Sequence, residues 1–106
     1  MAKFLTLGSY TNDGLKGVLK EGGTGRRKAV EDAVKAMGGH VESYYFAFGD
    51  FDVAVITDVP DNVTAAALAI GIASTGTVNL KTVVLLTPEE VDQATKKTLS
   101  FRAAGQ

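Results

Sequence analysis

Cysteine is absent from the 106 residues, which excludes disulfides, thiolate nucleophiles and cysteine-ligated metals. Histidine occurs once, at His40, so a metal site would have to be built almost wholly from carboxylates. No apolar run approaches the roughly 20 residues of a membrane-spanning helix. The opening MAKFLTLGSY carries one lysine and then the alternation of a strand, unlike a signal peptide. Nor is one sign of charge in excess: 11 basic and 12 acidic residues are mixed along the chain, for a net charge of -1. The basic stripe with interleaved aromatics that a nucleic-acid partner calls for is missing. These absences predict a cytoplasmic protein with neither nucleic acid nor a membrane as its partner.

What is there is ordinary globular material, 45% hydrophobic and 22% charged, in a length that suits one domain. Lys3 to Tyr10 alternates like a strand. TNDGLKGVLKEGGTG, residues 11–25, holds five glycines and a short apolar patch at Leu15, Val18 and Leu19, and predicts a mobile loop with at most one or two helical turns. From Arg26 to Met37 the apolar residues fall at helical spacing, and Gly38-Gly39 stops that helix. Two strands follow, His40 to Phe48 and Phe51 to Val59, joined by Gly49-Asp50 as a type II′ turn. Pro60 ends the second, Asp61 caps the alanine-rich helix VTAAALAIGIAST, and Thr77 to Leu86 is a fourth strand. Thr87-Pro88-Glu89-Glu90 is a capping box that opens a short polar helix.

The order β-α-β-β-α-β predicts an α+β fold of the ferredoxin-like kind, with a four-stranded antiparallel sheet over residues 1–87 and a helical tail over 88–106. A two-residue hairpin pairs Phe48 with Phe51 and so assigns faces. Tyr44, Phe46, Phe48, Phe51, Val53 and Val55 form a bulky face for the two helices. Val41, Ser43, Tyr45, Asp52, Ile56 and Asp58 point the other way. Apolar residues on both faces, with helices for only one, predict that two subunits pack sheet to sheet as a dimeric α/β barrel or a larger assembly built from it.

The stretch Gly49-Asp50-Phe51-Asp52, together with Tyr10-Thr11, Gly14, Arg26, Gly38-Gly39, Pro60-Asp61, Ala69-Ile70-Gly71 and Gly76-Thr77-Val78, resembles the GYD-domain family over roughly residues 2 to 90. That bacterial family of dimeric α/β barrels takes its name from a Gly-x-Tyr-Asp hairpin. The resemblance implies the architecture and no assigned activity. Phe51 stands where the family has tyrosine, so no role that needs a phenol there carries over, and residues 22–25 are richer in glycine than the pattern.

Several side chains are candidates for chemistry. Asp52, on the open face near an end of the space between subunits, is a candidate general base if partly buried, and otherwise accepts backbone hydrogen bonds or pairs with Lys81 or Lys3. Ser43, Tyr45 and Asp58 share its face and could line a small-molecule pocket or an ordinary interface. His40 is a second catalytic candidate at a strand start, with Glu42 and Val59 as its expected neighbours. Related barrels hold haem through a histidine, but an exposed strand-end histidine is the commoner case. EGGTGRRK has glycines ahead of a basic helix start yet lacks the phosphate-loop spacing, which leaves Arg26 as an anion-binding candidate. Tyr10 could reach the cavity mouth beside Lys81, or pack under the glycine-rich loop.

Together these features predict a homo-oligomer that binds a small molecule at or near the subunit interface, without a tightly held cofactor or metal. A cofactor-free monooxygenase or isomerase, and a pure assembly module, are the alternatives.

Overall fold

In the computed structural model, which describes residues 1–106, seven elements follow one another. They are β1 (Ala2–Tyr10), α1 (Asn12–Ala36), β2 (His40–Phe46), β3 (Val53–Val59), α2 (Asn62–Ala73), β4 (Val78–Leu85) and α3 (Pro88–Thr95). The strands form one antiparallel sheet in the order β2-β3-β1-β4, so the fold is the expected βαββαβ arrangement. No helix is long and apolar enough to cross a membrane.

Two helix starts follow their local chemistry. Asp61 accepts the Thr64 amide at 2.8 Å, and Thr87 and Glu90 close a reciprocal capping box. Gly38 turns α1 into β2 at a positive φ of 85°.

Three expectations need correction. The segment 12–21 is helical, not a loop. Thr11 caps it, and α1 continues through a break at Gly22, where φ is 76° and ψ 169°. Tertiary anchoring overrides the low propensity of its glycines: the Thr11 amide and hydroxyl donate to the carbonyls of Thr77 and Gly76, both at 2.9 Å.

The hairpin register holds at its base, where Phe46 pairs with Val53, but both strands stop short of the tip. Phe48 is fully exposed, so it fills no core. Phe51 does not join the helix side either: its ring lies under the Lys81 ammonium, 6.0 Å from nitrogen to centroid.

A bulge between Val41 and Ser43 inverts the alternation at the start of β2. Val41 therefore packs with the helix-side core, and His40 pairs across the strand with Asp58 instead of flanking Glu42 and Val59. One extra residue moves everything before it to the opposite face.

Phe4, Val34 and Val59 form the buried core, with Val30, Val41, Ala65 and Leu68 around it. This centre is small for the chain. The opposite face of the sheet carries Leu5, Leu7, Tyr45, Ile56 and Val83 with no element over it, and Tyr45 is 71% exposed.

Candidate functional site

Between the sheet and its two helices runs a cavity of about 70 Å³. Phe4 and Tyr10, at the two ends of β1, both line it. Its floor comes from inward residues of all four strands and its roof from Val30 of α1 and Ala65, Leu68 and Ile72 of α2. Thirteen of the seventeen lining residues are hydrophobic; the other four are Thr6, Thr57, Thr82 and Arg26, and none is acidic. The alanines of α2 leave this space because small side chains fill less of the gap between helix and sheet than Leu or Phe would.

Besides the three threonines, three larger polar side chains belong to this cavity: Tyr10 from the end of β1, Tyr44 from β2 and Arg26 from α1 just past the Gly22 break. Burial pushes the Tyr44 phenol well above its ordinary pKa, the neighbouring Tyr10 adds to the shift, and Arg26 opposes it. Tyr44 consequently keeps its proton even where an ordinary phenol would begin to ionise. Its ring meets Phe46 edge to face at 5.5 Å.

The Arg26 guanidinium donates through one nitrogen to Glu21 at 2.9 Å, across the break in α1. That hydrogen bond is the main reason its pKa is raised, while desolvation works against it. A second cavity of about 170 Å³ lies on the far side of Tyr10 and Arg26, lined by polar groups that include Asp13, Lys20 and Glu21. Tyr10 and Arg26 are thus shared walls between an apolar chamber and a polar one.

The neighbouring basic residues do otherwise. Arg27 reaches Glu31 at 3.9 Å and Lys28 reaches Asp32 at 3.1 Å, both as surface pairs one helical turn apart. Of the three cations in EGGTGRRK, only Arg26 lines the apolar chamber.

The remaining sequence candidates fall in other places. Asp52 accepts the Tyr10 backbone amide at 2.8 Å and donates its own amide to the Gly8 carbonyl. Asp58 is nearly buried on the open sheet face, held by Lys3 at 2.9 Å and His40 at 3.0 Å. Lys3 also reaches Glu42 at 2.7 Å, and its two carboxylate partners raise its pKa, Glu42 more than Asp58. Ser43 and Tyr45 share that face, and Lys81 stands on Phe51 at the β4 side.

The eight candidates therefore divide. Tyr10 and Arg26 meet in the helix-side cavity, Asp52 braces Tyr10 from behind, and His40, Ser43, Tyr45, Asp58 and Lys81 belong to the opposite side of the sheet. Sequence reasoning missed Tyr44 as a site residue, because it fell on the bulky face expected to be core. The available signal was its hydroxyl: a phenol on a buried face needs a polar neighbour.

Comparisons with curated proteins and with solved structures found no match. A family profile described as the GYD domain matches residues 4–95, which spans every element of the sheet, both covering helices and α3. The chain belongs to the GYD-domain family.

Proposed function

We propose that this protein is a homo-oligomer, joined through the open face of its sheet, in which each subunit binds a small and largely apolar molecule between sheet and helices. The observation that carries the binding half is the cavity itself. It is apolar along most of its wall, has Tyr10, Tyr44 and Arg26 as a converging polar group, and adjoins a second opening. Apolar walls with a few placed polar groups are the general form of small-molecule sites.

The assembly half rests on surface. The chain exposes 7482 Å², about 1,800 Å² more than the roughly 5,700 Å² of a compact protein of its mass. Its radius of gyration is 16.9 Å, against about 13 Å for a compact chain of this length. The excess is more than the roughly 800 Å² that one partner contributes to an interface of standard size. Leu5, Leu7, Tyr45, Ile56 and Val83 give the open face apolar area of the kind a two-fold dimer buries.

Native mass spectrometry on freshly purified protein tests both halves in one spectrum. The expected result is an even-numbered oligomer, with a small retained mass on some subunits. A monomer at micromolar concentration would refute the assembly half. Failure of any small apolar probe to perturb cavity resonances in an NMR titration would refute the binding half.

A further inference from the structure

The proposed binding site also specifies a head group. We infer that the cavity takes a short aliphatic carboxylic acid, its hydrocarbon part against the valines and alanines and its carboxylate on Arg26, Tyr10 and Tyr44. This rests on the binding reading above and narrows it to one chemical class.

The lining decides the sign of the charge. Arg26 is the one ionic residue on the wall and no carboxylate shares it, so the charge nearest the chamber is positive while its counter-charge on Glu21 lies on the polar side. Glu21, the partner of Arg26, lines the polar cavity and not the apolar one. A guanidinium carries five N–H donors in a planar fork; Glu21 takes one of them through a single nitrogen, and the Tyr10 phenol also interacts with the group. The donors left over suit a planar carboxylate. Tyr10 already interacts with both Arg26 and Tyr44, so a carboxylate would join an existing polar cluster, and burial keeps the Tyr44 proton in place. A doubly charged phosphate would find a single cation already paired with Glu21, which is too little positive charge for it.

Volume decides the body. At about 70 Å³, the chamber is roughly half the about 150 Å³ of a cavity that admits benzene. A short branched chain is therefore accommodated and an aromatic ring is not. Thr6, Thr57 and Thr82 make no side-chain hydrogen bond within the chain, so their hydroxyls add weak polarity along the wall.

The test compares 3-methylbutanoate with its neutral isostere 3-methylbutanamide on the full chain, by calorimetry and by mapping amide shifts in the NMR spectrum. The acid is expected to bind at least tenfold more tightly than the amide, with shifts at Tyr10, Arg26 and Tyr44. Arg26→Gln is expected to abolish that preference, and Tyr44→Phe, which keeps the ring, to reduce it severalfold. Benzoate is expected to bind more weakly than the aliphatic acid. Equal binding of acid and amide, or a preference that survives both substitutions, would overturn the head-group assignment while leaving the cavity reading intact. Binding of neither probe would overturn both.

Discussion

The carboxylate of Asp52 accepts the backbone amide of Tyr10 at 2.8 Å, so the aspartate of the hairpin fixes the end of β1 from which the Tyr10 ring enters the cavity. The bond joins residues 42 positions apart. It also explains why a strand beginning at Val53 is preceded by an acid: Asp52 continues the contact between β3 and β1 with its side chain after the ladder has ended at Gly8. Asp52→Ala is expected to cost about 1–2 kcal/mol in urea denaturation, the usual range for a part-buried amide losing a charged acceptor. Asp52→Asn, which keeps an acceptor oxygen, is expected to cost less than half of that.

Gly14 offers a sharper test of packing. A side-chain carbon there would lie 1.9 Å from the Thr77 carbonyl oxygen, which is backbone and cannot step aside. Gly14→Ala is therefore expected to destabilise the fold by about 3 kcal/mol, at the upper end for overpacking. Gly17→Ala, in open space on the same helix, is expected to be neutral or stabilising, since it replaces glycine with a better helix former. Thermal denaturation of the two variants side by side reads the difference.

The open sheet face predicts a dissociating substitution. Ile56, between Leu5 of β1 and Ser43 of β2, belongs to the face that the proposed dimer buries. Ile56→Glu is expected to convert the oligomer to monomer in light scattering at micromolar concentration, because a carboxylate buried without a partner costs far more than one in water. Helical content in circular dichroism is expected to remain, since the residue faces away from the core around Phe4 and Val34.

Ionisation gives opposite signatures at the two ends of the pH scale. The Thr64 amide, and then its hydroxyl, hold Asp61 below its ordinary value of 3.8. A depressed folded-state pKa stabilises above the unfolded value, and that contribution is lost as pH falls through the folded one. The stability difference between wild type and Asp61→Ala is therefore expected to be constant near neutrality and to shrink below pH 3.8.

Tyr44 behaves in reverse. Its raised folded-state pKa means that the native chain keeps a proton that the unfolded chain releases above pH 10.0, so stability falls as pH rises past that point. Absorbance of tyrosinate, compared between wild type and Tyr44→Phe, is expected to show one phenol that ionises only on alkaline unfolding. Bound carboxylate is expected to strengthen the effect, since it too favours the protonated phenol.

Much of the architecture was legible in the sequence because its signals are local. The Thr87–Glu90 capping box, the Gly38-Gly39 stop, the Asp61 cap and the alternation of β1 and β3 involve residues within a few positions of one another, where hydrogen bonding and steric limits act whatever the rest of the chain does. The family pattern followed from the same stretches. What stayed out of reach depended on distant partners. Residues 12–21 look too rich in glycine for a helix, and only their anchoring on Gly76 and Thr77 holds them in one. The bulge after Val41 reverses a strand face through a single unpaired residue, which no alternation pattern reveals. Tyr10 and Arg26 could be named as candidates from their types and positions. That they share a chamber with Tyr44, while Asp58, His40 and Tyr45 share the other side of the sheet, was decided by how helices and strands pack, because a cavity is defined by the surfaces that fail to meet.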